Sequence, residues 1–107
     1  LDSSSSMASV WQLATRMVAA IGFLAVRSQD AVTVASPGAG TPVVVQSPRG
    51  LQRMLSALIN VQATPADSFT EFCRQQIARS KLPGLVVVVS DFMFEIAGIR
   101  SIGQSIT

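Results

Sequence analysis

The sequence predicts an α/β fold: a doubly wound, mostly parallel, Rossmann-like sheet, truncated at both ends. Three observations carry this expectation. Stretches with apolar residues at helical spacing are separated by short runs of β-branched residues, the pattern of strands joined by helices. One of those runs, residues 85–89 (Leu-Val-Val-Val-Val), is apolar without alternation, as a central strand covered on both faces should be. It ends in Ser90-Asp91, at the carboxyl end where such sheets place their ligands. All 107 residues are read as a single-domain fragment spanning 1–107. Leu1 is read as the last residue of a first strand, so that Asp2 lies at another carboxyl end.

The elements follow in order. Ser9 is a candidate N-cap for a helix from about Val10 to Arg27, with Val10, Leu13, Ala14, Met17, Ile21, Leu24 and Ala25 at helical spacing. Val18, Ala20 and Phe23 widen the apolar face, which predicts a helix buried on most sides. Ser28-Gln29-Asp30 is a polar turn. Residues 31–35 and 43–45 read as two strands joined by the turn Ser36-Pro37-Gly38-Ala39-Gly40, hence a hairpin. Ser47 as N-cap and Pro48 at the first position open a second helix, with Leu51, Met54, Leu55, Leu58 and Ile59 as its stripe. Residues 63–67 form a loop. A third helix carries Phe69, Phe72, Cys73 and Ile77 on one face and stops at Leu82-Pro83-Gly84. Residues 92–106 are partly helical, interrupted by Gly98 and Gly103.

Composition removes several function classes. The chain is 49% hydrophobic and 13% charged, where about 25% charged is usual, so it is far too apolar for a disordered region. Eight basic residues stand against six acidic ones and are spread along the chain, giving no nucleic-acid stripe. There is no histidine, which excludes Ser-His-Asp and Cys-His catalysis and most zinc sites. A metal held here must be held by oxygen, which points to Mg²⁺, Mn²⁺ or Ca²⁺. The single cysteine, Cys73, forms no internal disulfide, favours a reducing compartment and reads as an inert core thiol. The apolar stretch 10–26 contains Gln12 and Arg16 and falls short of the roughly 20 apolar residues of a span, so no membrane insertion by this segment is expected.

Asp2-Ser3-Ser4-Ser5-Ser6, followed by Met7, resembles the Asp-x-Ser-x-Ser loop of the metal-ion-dependent adhesion site in von Willebrand factor A domains. The chain is similar to one branch in particular. This is the bacterial domain-of-unknown-function family of A-like proteins, usually encoded beside MoxR-type AAA+ ATPases. Ser4-Ser5-Ser6-Met7, the alanine-rich first helix, the turn at 27–32 (Arg-Ser-Gln-Asp-Ala-Val) and residues 84–92 (Gly-Leu-Val-Val-Val-Val-Ser-Asp-Phe) carry the likeness, in order and over nearly the whole chain.

The resemblance implies a site for Mg²⁺ or Mn²⁺ built from Asp2, Ser4, Ser6 and Asp91. Neutral hydroxyls leave such a cation under-neutralised, so that it takes a carboxylate from a partner. The family usually adds a threonine from the middle loop. Counting back from Ser90 falls instead on Asp67 or Ser68, while Thr64 and Thr70 are out of phase with the Phe69–Phe72–Cys73 face. Asp67 and Ser68 serve equally as caps of the third helix, and Ser90-Asp91 as a cap of the last one.

The expected function is a cytoplasmic, non-enzymatic protein-interaction module; members of the resembling family often carry membrane segments upstream. It docks an acidic residue of a protein partner such as a MoxR-type ATPase, in assembly or maturation of other proteins. Two alternatives stand beside it: an A-like scaffold that binds no metal, and a Rossmann-like phosphoryl-transfer enzyme using Asp2 or Asp91. Against the enzyme count the lack of a phosphate-cradling glycine-rich loop, of a lysine near either aspartate and of an Asp-x-Asp pair.

Overall fold

The computed structural model describes residues 1–65, 68–80, 84–93 and 96–106. A helical rod opens the chain. Ser5–Val10 form 3-10 turns, started by the Met7 N–H donating to the Ser4 carbonyl at 2.9 Å, and α1 (Trp11–Arg27) continues from them. Ser9 is therefore no N-cap: it lies inside the 3-10 segment, and Val10 precedes α1 without a side-chain cap. The rod, Ser5–Arg27, is long and apolar enough to cross a membrane, with a mean hydropathy of 1.4 over an 18-residue stretch.

The expectation that α1 is buried on most sides does not hold. Ala14, Gly22 and Val26 face inward, while Leu13 and Leu24 are more than 60% exposed and Met17 and Phe23 also face outward. The helix ends in a Schellman motif. Gln29 N–H reaches the Val26 carbonyl at 3.0 Å and Asp30 N–H the Ala25 carbonyl at 2.9 Å, with Gln29 at φ 64° in the left-handed position that glycine usually takes.

The chain then forms the hairpin that its β-branched runs predict. β1 (Val32–Val34) pairs antiparallel with β2 (Val43–Val45), in the register Val32↔Val45 and Val34↔Val43. α2 (Gly50–Ile59) packs on β2, helped by the Arg53 guanidinium donating to the Val44 carbonyl at 2.6 Å. Val26, Val45, Met54 and Leu58 make the first core, with Val18, Val32 and Leu51 around them. α3 (Ser68–Arg79) packs on α4 (Ile96–Ile106), and Phe69, Cys73 and Ile102 make a second core flanked by Phe72, Ile77 and Val88. Burial pushes the Cys73 thiol up to about 11, opposed by the Leu1 amino group and reinforced by the Asp2 carboxylate. The expected stop of the third helix at Leu82-Pro83 lies outside the described residues.

The predicted fold class is overturned here. Among the described residues there are four α-helices and one two-stranded antiparallel sheet, not a doubly wound parallel one. Residues 85–89 are not a strand. A strand needs a neighbour to take its backbone N–H and C=O groups. Here the tie observed in the run is at its end, where the Asp2 N–H donates to the Val89 carbonyl at 2.8 Å. Leu85 is 89% exposed, and Val86 and Val87 are exposed as well. The unbroken apolar run that looked like a doubly covered strand is covered only from Val88 onward.

Candidate functional site

Four stretches of chain meet at the serine loop. The Leu1 amino group donates to the Ala35 carbonyl (2.9 Å) at the end of β1, and Asp2 N–H to Val89 on the other side. Ser4 lies beside Thr64 in parallel alignment, with the Thr64 N–H donating to the Ser3 carbonyl at 2.9 Å. The hairpin turn closes in from below: Gly38 N–H donates to Ser3 Oγ at 3.1 Å, and Gln62 N–H to the Gly38 carbonyl at 2.9 Å. A Cβ on Gly38 would overlap the Gln62 carbonyl oxygen, so the two segments approach this closely only because position 38 is glycine.

Asp2 is at the centre and is 0% exposed. Its Oδ1 accepts from the Ser4 N–H at 2.8 Å and from Ser4 Oγ at 2.6 Å; its Oδ2 accepts from Ser90 Oγ at 2.6 Å. Ser90 is itself held by the Phe92 N–H at 2.9 Å. Phe92 adopts φ 53°, a left-handed conformation that a bulky residue takes only at a cost. Beside Asp2, Ser3 Oγ and Thr64 Oγ1 share a hydrogen bond of 2.9 Å. A cleft of about 310 Å³ opens next to the loop, lined by Ser3, Ser4, Ser5, Trp11, Gln62 and Ala63 among others.

A buried carboxylate is costly unless charge and hydrogen bonds compensate it. Asp2 has the hydrogen bonds and the nearby Leu1 amino group, but among the described residues no side-chain cation pairs with it. Among the described residues the ion pair present is Arg74–Glu71, 3.2 Å apart on the surface of α3. Nor do three His, Cys, Asp or Glu side chains converge anywhere among the described residues. The donor set at the loop is one carboxylate and several hydroxyls, all hard oxygens. That set suits Mg²⁺ or Mn²⁺ and does not suit a soft metal.

The residues singled out from the sequence divide. Asp2 and Ser4 come together. Ser6 is exposed in the 3-10 segment, away from the Asp2 hydrogen bonds. Asp91 follows Ser90, but its Oδ1 accepts from the Met93 N–H at 3.2 Å, and its own N–H points to Met7 Sδ at 3.2 Å. Ser68 Oγ donates to the Pro65 carbonyl at 2.7 Å and closes the turn into α3. Asp67 lies outside the described residues.

Ser3, Thr64 and Ser90 are the polar groups at the loop that the motif did not single out. Thr64 is out of helical phase with the Phe69–Phe72–Cys73 face, yet it precedes α3 in extended chain, where that phase has no meaning. The signal that identifies it is its place in the loop that follows α2. In comparisons with protein-family models, with curated proteins and with solved structures, nothing matches this chain.

Proposed function

We propose that this loop is a metal-ion-dependent protein-interaction site of the adhesion type. It takes Mg²⁺ or Mn²⁺ on Asp2, Ser4, Ser90 and Thr64 and docks an acidic side chain of a partner protein. One observation carries the reading: a fully buried carboxylate that accepts from two hydroxyls and one backbone amide, without a side-chain cation among the described residues. A divalent ion there adds positive charge to that of the nearby Leu1 amino group and, held largely by neutral oxygens, keeps an appetite for one more anion. The protein's part is to fix the hydroxyls. Ser4 is set by the loop itself, Ser90 by the Phe92 N–H, and Thr64 by Ser3. The sequence resemblance favours a MoxR-type ATPase as the acid-bearing partner.

Calorimetric titration with Mg²⁺ and Mn²⁺ tests this. Saturable binding in the native protein, abolished in Asp2→Ala and weakened in Ser90→Ala and Thr64→Ala, is the expected result. No binding to the folded native protein would sink the metal mechanism and leave a scaffold.

A further inference from the structure

Ser36 stands out among the buried polar residues. It is 2% exposed, and its hydroxyl has no hydrogen-bond partner among the described residues. A buried hydroxyl in that state costs stability, and alanine would fill the position without the penalty. The turn does not need the side chain either: the Ser36 carbonyl, not its hydroxyl, accepts the Ala39 N–H at 3.1 Å.

The position of Ser36 gives the reason for keeping the hydroxyl. Its neighbour Ala35 accepts from the Leu1 amino group, and Gly38, two residues on, donates to Ser3 Oγ. Ser36 is thus pinned on both sides to the stretch that carries Asp2. Mg²⁺ sheds its hydration shell reluctantly and keeps several waters when it binds protein, and those waters need acceptors and donors of their own.

We infer that Ser36 is a positioning residue of the cation site, its hydroxyl reserved for a water in the shell of the bound ion. This rests on the metal reading above. Groups acting at one remove from a metal typically change its affinity about 10-fold to 100-fold when lost.

The test compares native protein, Ser36→Ala and Ser36→Cys, each by Mg²⁺ and Mn²⁺ calorimetry and by thermal melting in chelator. Ser36→Ala should bind the ion about tenfold more weakly, while its melting temperature without metal stays level or rises. Ser36→Cys, which fills the same space with a poor hydrogen-bonding group, should be as weak as the alanine variant. If the native protein binds the ion and Ser36→Ala binds equally well, this inference falls and the metal site stands. Restored affinity in Ser36→Cys, or a lowered melting temperature in Ser36→Ala without metal, would show a packing role and overturn it. A native protein that binds no ion removes the site and this inference together.

Discussion

The two halves of the molecule handle the same raw material differently. Residues 32–34 and 43–45 are valine-rich runs that find each other across a short turn and bury Val45 completely. Residues 85–89 are more apolar still, yet they lie unpaired over most of their length with Leu85 in solvent. Apolar β-branched sequence supplies a strand's side chains, but only a neighbouring backbone makes it a strand. In the first half the neighbour is local; in the second, the backbone tie found among the described residues is one hydrogen bond from Asp2.

The largest test of that contrast is in the cores. Phe69→Ala in the second core should cost about 3–5 kcal/mol, as much as Met54→Ala costs in the first (about 2–5 kcal/mol), measured by urea denaturation. A much smaller loss for Phe69 would mean that the second half contributes little to the cooperative unit. Next comes the seam between hairpin and serine loop. Gly38→Ala forces a methyl into the Gln62 carbonyl and should cost about 2–3 kcal/mol, with Ser3 and Thr64 chemical shifts displaced. Gln29→Gly relieves the left-handed residue after α1 and should stabilise by about 0.5–1 kcal/mol. The smallest effect is expected in the exposed run: Leu85→Lys should change stability by less than about 0.5 kcal/mol while reducing aggregation. A loss of several kcal/mol there would mean that the run is covered after all.

What could be read from the sequence divides along similar lines. The hairpin was legible because both strands and their turn lie within 15 residues of each other in the printed chain. The helices were legible from their stripes, although the stripe of α1 overstated its burial: Leu13, Met17 and Leu24 repeat at helical spacing without facing the core. The doubly wound sheet does not form among the described residues: the expectation rests on helical stripes alternating with β-branched runs and on the apolar run 85–89, and composition does not specify a lateral partner.

The site shows the same limit. Asp2 and Ser4 are two residues apart, and their hydrogen bond follows from the loop motif. Thr64 and Ser90 reach the loop only through tertiary structure, and the sequence marks them only by place: Ser90 at the end of the 85–89 run, Thr64 in the loop after α2. Ser36 is invisible to sequence reasoning, since an orphaned hydroxyl exists only once its surroundings are built.

The Ser90–Asp2 hydrogen bond joins residues 88 positions apart, and the Ser3–Thr64 bond joins residues 61 apart. During synthesis the serine loop emerges well before Thr64 and Ser90, the residues that complete it. Until residue 90 is in place the Asp2 carboxylate lacks one of its three donors. Any partner that reads this loop therefore reads contacts that exist only once everything from Asp2 to Ser90 has been made, and discriminates against shorter nascent chains.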